Sequence, residues 1–317
     1  MKERYLVLST KKYGGGIGCG CFTILFFLLL IGFAIWFLPS VSEDGLTSEN
    51  FKESITEIYN ADSLEEGFHN ILDSFSGNSS SKGTEGDLYY YVQLDEEYKK
   101  VYETISNGIC KMDKSINLHS VDIDKLSSIY VSVLNDHPEY FWCQDSFRYQ
   151  QTTTLLGESG YVTIFPLYNC SENEKESKQK KIDAVVEDCL AGISCQTSEY
   201  EKVKYVFEYI IHHTEYDKSA TDNQNVYSVL VNKTSVCAGY AKTTQYLLMN
   251  LGVRCIYVTG YADGEEHAWN IVECEGKYYH VDTTWGDPIC ENSNCVQDHI
   301  DYNYLYCSDE KIFQTHV

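Results

Sequence analysis

An α+β fold is predicted for this chain on three observations. A helix-forming run follows directly on Cys237, with Ala241, Thr244, Leu248 and Leu251 at helical spacing and Gly252 placed to stop it. Three strand-like runs come next: Arg254–Tyr261, His267–Cys274 and Lys277–Asp282. They are separated by Asp263-Gly264 and Glu275-Gly276, dipeptides suited to tight hairpin turns. A second group of helix and strand signals lies upstream, between residues 88 and about 170.

The N-terminal residues 1–16 carry Lys2, Arg4, Lys11 and Lys12 against one acid, Glu3. Residues 17–38 are uncharged and strongly apolar, long enough to span a hydrocarbon core of roughly 30 Å as one helix. The flanking charges orient it, with residues 1–16 cytoplasmic and the remainder outside. The apolar run is long for a cleaved signal, and no small-x-small site follows Pro39. A single-pass anchor in the cell membrane, with an extracytoplasmic body, is therefore expected. Residues 39–87 read as stalk and linker, ending in the Ser/Gly-rich run Ser76–Gly86.

Residues 88–175 form an upstream α+β unit. Asp95 is placed to cap a helix with Tyr98, Val101, Tyr102, Ile105 and Ile109 on one face. A second helix is predicted from Asp122 to Leu134, stopping before Pro138, and strands over Tyr149–Leu156 and Tyr161–Tyr168. The aromatic cluster Tyr140, Phe141 and Trp142 is expected to pack rather than line a groove. Residues 176–317 make the last domain. It opens with a connecting helix over Lys178–Leu190 and a helix announced by the capping box Ser198-x-x-Glu201.

Composition excludes some partners. The formal charge is -23, which argues against nucleic acid. There are 13 cysteines. Setting aside Cys237 and the pair Cys19 and Cys21 in the anchor leaves an even number, as a disulfide-bonded ectodomain would show. Cys255 with Cys274, and Cys290 with Cys295, are candidate bridges. Cys290, Cys295 and His299 have loose metal-like spacing but lack a second pair, so thiols or a disulfide are expected there, and no metal or cofactor is implied.

Three segments carry the chemistry: Ser235-Val-Cys-Ala-Gly-Tyr-Ala241, His267-Ala-Trp-Asn270 and His280-Val-Asp-Thr-Thr-Trp-Gly-Asp-Pro288. A thiol at a helix N-terminus meets free N–H groups and a dipole that favour the thiolate. A hairpin closing at Glu275-Gly276 puts His267 and Asp282 on neighbouring strands, opposite or diagonal, within reach of one hydrogen bond. Thiol, imidazole and carboxylate are the parts of a nucleophilic triad.

These segments, in this order and spacing, resemble the transglutaminase-like superfamily, in which a helix carrying Cys packs on an antiparallel sheet carrying His and Asp in a papain-like core. The anchor and the Pro138-Glu-Tyr-Phe-Trp142 segment make it similar to membrane-anchored, bacterial-type members. The resemblance covers about residues 198–310. It implies Cys237 as nucleophile, His267 as general base and acid, and Asp282 as its orienter. It also implies a closing strand at Tyr302–Leu305 and an oxyanion side chain, for which Asn225 and Tyr227 are candidates. Gly286 is not expected to touch the chemistry. The activity implied is thiol-dependent acyl transfer at amide bonds of cell-surface protein or peptide substrates, with an amine acceptor giving cross-links and water giving a protease or deamidase. The alternative is a catalytically dormant binding or scaffolding module on the same fold.

Overall fold

The computed structural model describes residues 88–119, 121–152, 161–287 and 300–317. The expected membrane helix, the stalk and linker, and the Cys290–Cys295 pair lie outside these residues. Among the described residues no helix is long and apolar enough to cross a membrane.

A short helix, α1 (Tyr89–Val92), leads into α2 (Glu96–Cys110), β1 (Ile116–His119), α3 (Ile123–Asp136), β2 (Cys143–Gln151) and β3 (Tyr161–Tyr168). Asp95 occupies the N-cap position of α2 without a side-chain capping bond, whereas Asp122 caps α3 by accepting the Asp124 N–H. The strands form an antiparallel sheet in the order β1-β3-β2. The sequence showed no sign of β1, a four-residue strand whose alternation is too short to stand out. The β2 strand begins at Cys143 rather than Tyr149, because polar Gln144 and Asp145 broke the expected pattern; its register shifts between Cys143 and Phe147.

Two long helices follow, α4 (Glu172–Leu190) and α5 (Glu199–His213), both opened by complete capping boxes, Ser171 with Glu174 and Ser198 with Glu201. The first box places the start of α4 six residues before the expected Lys178. A two-residue parallel ladder pairs β4 (Glu215–Tyr216) with β5 (Thr234–Ser235), and α6 (Cys237–Asn250) starts directly after it. Gly239 is required there: a Cβ would stand 2.0 Å from the Ser235 Oγ and 3.1 Å from the Ser228 Oγ.

The second sheet is antiparallel, β6 (Cys255–Ala262), β7 (Glu265–Cys274) and β8 (Lys277–Val281), in chain order. Both hairpin turns have positive φ at their two central residues, Asp263-Gly264 and Glu275-Gly276, the backbone that matches strand twist. The expected closing strand at Tyr302–Leu305 is instead a 3-10 turn over Tyr302–Tyr304. Pairing with β8 comes only afterwards, as a single bridge between Cys307 and His280. The Asp301 side chain accepts the Asn303 N–H, which turns the backbone out of the extended state. The chain ends with α7 (Asp309–Ile312) and a tail that bridges to β6 at Ala262.

One apolar cluster runs from Ile105, Ile109 and Tyr130 upstream to Phe207, Leu247 and Val272 downstream. Polar ties cross it: Gln245 Nε2 donates to the Asn135 carbonyl, and the Tyr90 hydroxyl donates to the Tyr257 carbonyl. Phe141 and Trp142 are buried, and the indole N–H of Trp142 donates to the Ile109 carbonyl, so the aromatic cluster is packing.

The expected Cys255–Cys274 bridge is corrected: both are buried free thiols. Cys255 faces Val272 across the ladder, two residues before Cys274. The two cysteines are therefore diagonal neighbours, a separation of roughly 7–8 Å that exceeds disulfide reach. Cys110, Cys143, Cys170, Cys189, Cys195, Cys237 and Cys307 are also free, so the described residues hold no disulfide.

Candidate active site

Cys237 is the first residue of α6, with Val236 extended at the N-cap. Its side chain is half-buried against Ala241, Tyr257 and Ala268. The helix behind it is covered on most sides, from Ala238 through Leu248. The start of the helix is thus held by the core, while the Cys237 sulfur stays partly exposed.

His267 sits in β7 opposite Gly260, and Asp282 lies one residue past the end of β8. His267 Nε2 is 2.8 Å from Asp282 Oδ2. With Nε2 committed to the carboxylate, Nδ1 is the ring nitrogen left over, and the imidazole also interacts with the Cys237 thiol. Burial pulls the imidazole down, but Asp282 and then Cys237 outweigh it, and His267 is pushed up to about 9.

Asp282 is fully buried and fully hydrogen-bonded. Its Oδ1 accepts the backbone N–H groups of Thr284 and Trp285, each at 3.0 Å. Its Oδ2 accepts from His267 and from a residue absent from the sequence expectations, His316, at 3.0 Å. Burial alone would push this carboxyl up; the hydrogen bonds from His267, His316 and Trp285 outweigh it and hold the acid below its ordinary value.

The turn after Asp282 is pinned to the helix that carries Cys237. Thr283 and Thr244 share a hydroxyl contact of 2.8 Å, and the Tyr240 hydroxyl bonds Asp287 at 2.8 Å. Gly286 packs on Phe207, where a Cβ would stand 2.2 Å from the ring, and takes no part in the polar cluster. Asn270, last residue of its motif, ties β7 to the same helix by donating to the Ala241 carbonyl.

The two expected oxyanion candidates serve the loop instead. Asn225 donates to Asp222 and accepts the Ser228 N–H. Tyr227 lies near Phe141 and under the Lys178 ammonium. A second aromatic at Cys237, besides Tyr257, is Tyr216, on β4. Its hydroxyl faces the Cys237 backbone N–H, and burial followed by the nearby sulfur pushes it up to about 12. An aromatic just after the His212-His213 helix end was the available signal; the parallel β4–β5 pairing that brings it over the thiol was not visible in the chain.

His267, Asp282 and His316 also form a group of described side chains whose ligand atoms lie within 4.8 Å of one another, compact enough for a metal ion. Both Nε2 atoms, however, are directed at one carboxylate oxygen, the pattern of a hydrogen-bonded cluster.

The helix-borne thiol facing an imidazole on an antiparallel sheet is the geometry the sequence motifs implied. A family model described as the Transglutaminase-like superfamily matches residues 187–283. This segment is a transglutaminase-like domain. The Kyphoscoliosis peptidase of Mus musculus is 29% identical over 136 residues, covering 38% of this chain and 20% of that protein. The Kyphoscoliosis peptidase of Homo sapiens is 28% identical over 152 residues, covering 43% of this chain and 22% of that protein. The chain thus spans about a fifth of the length of these curated relatives. The crystal structure of a TGase aligns at 16% identity with a TM-score of 0.32, covering 59% of this chain and 56% of that one, too slight a likeness to argue from.

Proposed function

We propose that the chain is a cysteine enzyme of acyl transfer at amides, with Cys237 as nucleophile, His267 as acid and base, and Asp282 as orienter. One observation supports this above all: Asp282 occupies one nitrogen of His267 and leaves the other for the thiol at the start of α6. A cation raised to about 9 beside a thiol favours the thiolate–imidazolium pair at neutral pH.

In this reading the thiolate attacks an amide carbonyl, forming the C–S bond and moving an electron pair onto oxygen. The Cys237 N–H at the helix start and the Tyr216 hydroxyl beside it are placed to receive that oxyanion. The imidazolium gives its proton to the amide nitrogen as the C–N bond breaks, and ammonia or an amine leaves a thioester. Water or a second amine then attacks, losing its proton to His267, and Cys237 is released. An amine acceptor gives a cross-link; water gives hydrolysis.

The substrate class is a protein or peptide carboxamide. With residues 17–38 as an anchor, the domain would work on such groups outside the membrane. The test is incubation of the full chain and of Cys237→Ala with a glutamine-containing protein and a labelled primary amine, read by mass spectrometry. Cys237-dependent incorporation, deamidation or cleavage is the expected result. Equal products from both proteins would overturn the reading and favour a dormant binding module.

A further inference from the structure

We infer that His316 is a positioning residue of this site: by donating its Nε2–H to Asp282 it sets the pH range in which the Cys237–His267 pair is ready to react. The inference rests on the thiol-enzyme reading above.

His316 is delivered by the tail. Val317 exchanges two backbone hydrogen bonds with Tyr261, at 2.8 and 2.9 Å, and the Asp263 N–H donates to the Thr315 carbonyl. The tail thus adds itself to the open edge of β6. Gly260 makes the approach possible, since a Cβ there would lie 2.3 Å from the Val317 carbonyl oxygen. The imidazole has no solvent exposure and is walled by Trp285 at 4.7 Å and Trp269 at 5.0 Å, both edge-to-face.

A buried imidazole needs partners for both nitrogens, and this one has them. Nδ1 meets the Thr315 hydroxyl at 2.8 Å and Nε2 meets Asp282 at 3.0 Å. An ionised carboxylate can only accept, so Nε2 carries the proton and Nδ1 accepts from Thr315. With His316 in place, each oxygen of Asp282 receives two N–H donors. Four donors keep a dry carboxylate ionised and fix the oxygen that orients His267.

The other titratable groups facing this cluster are Cys237 from α6, Tyr216 from β4, Tyr304 and Cys307 from the segment after β8, and His280 from β8. Among the described residues the donors to Asp282 are His267, His316 and the backbone N–H groups of Thr284 and Trp285, so His316 is the replaceable donor. Losing it leaves a buried carboxylate that takes up a proton more readily, and His267 then loses its anionic partner from the acid side.

The experiment follows alkylation of Cys237 in the full chain by iodoacetamide, quantified on the Cys237 peptide by mass spectrometry from about pH 4 to 9. Relative to wild type, His316→Phe should move the acid limb up by about one pH unit, an approximately tenfold slower reaction on that limb. His316→Gln keeps an N–H donor and should restore most of the difference. Thr315→Val removes the donor to Nδ1 and should move the limb the same way by less; it is decisive if His316→Phe does not fold. An unmoved limb in the folded variants, or equal displacement by Phe and Gln, overturns the role of His316 alone. A wild-type Cys237 that alkylates like an ordinary thiol overturns the enzyme reading, and this inference with it.

Discussion

The indole N–H of Trp269 donates to Nδ1 of His280 at 2.9 Å, linking a wall of the site to the last strand of its sheet. Because Nδ1 accepts, the His280 proton is on Nε2, where it meets Asp309 at 3.0 Å. The Trp269 ring in turn stacks near His267, with centroids 6.1 Å apart and planes 16° from parallel. The imidazole is thus held by an aromatic plane whose own orientation is fixed from behind.

Trp269→Phe keeps the plane and removes the donor. The buried Nδ1 of His280 is left unsatisfied, so denaturant unfolding should show a loss of about 1–3 kcal/mol. A loss below about 0.5 kcal/mol would mean that the contact contributes nothing to stability.

Tyr216→Phe separates attack from simple thiol reactivity. Removing one oxyanion donor lowers turnover on amides by about 10²–10³-fold in well-studied hydrolases, and a fall of at least tenfold in kcat is expected here. Alkylation of Cys237 develops no oxyanion, so its rate should change less than threefold. A parallel fall in both would place Tyr216 in shaping the thiol rather than in receiving charge.

Gly239→Ala puts a methyl group into space held by Ser235 and Ser228, beside backbone at 3.2 Å from Asn223. The first turn of α6 must shift, at a cost of about 1–3 kcal/mol. A lower thermal midpoint together with slower Cys237 alkylation is expected, because the same turn carries the thiol. Unchanged midpoint and rate would show that the turn has slack.

His267 gives stability a pH dependence of known sign. Its folded-state value is raised to about 9, so its contribution is complete below the ordinary imidazole value of about 6.5 and declines as pH rises through about 9. Unfolding free energy should fall over that window, and His267→Asn should flatten it. A curve of the same slope in that variant would assign the titration elsewhere.

Local pattern made much of this molecule legible in the chain. The α6 helix and its start at Cys237 followed from apolar spacing and Gly252, and the two hairpin turns from Asp-Gly and Glu-Gly. Cys237, His267 and Asp282 were named from their motifs; in the structure His267 bonds Asp282 and interacts with the Cys237 thiol. Elements with weak local pattern were misread: β1, the first part of β2, and the Tyr302–Tyr304 turn.

Sequence by itself determined what depends on neighbours a few residues apart: helix starts, hairpin closure, and the residue types of a thiol site in order. Tertiary structure decided what depends on distant segments meeting. His316 stands 34 residues from Asp282 along the chain, and only the docking of the tail on β6 makes them partners. Tyr216 reaches Cys237 through a two-residue parallel ladder, and Cys255 misses Cys274 by two residues of strand register. Such pairings arise from sheet edges and burial, which no local periodicity encodes.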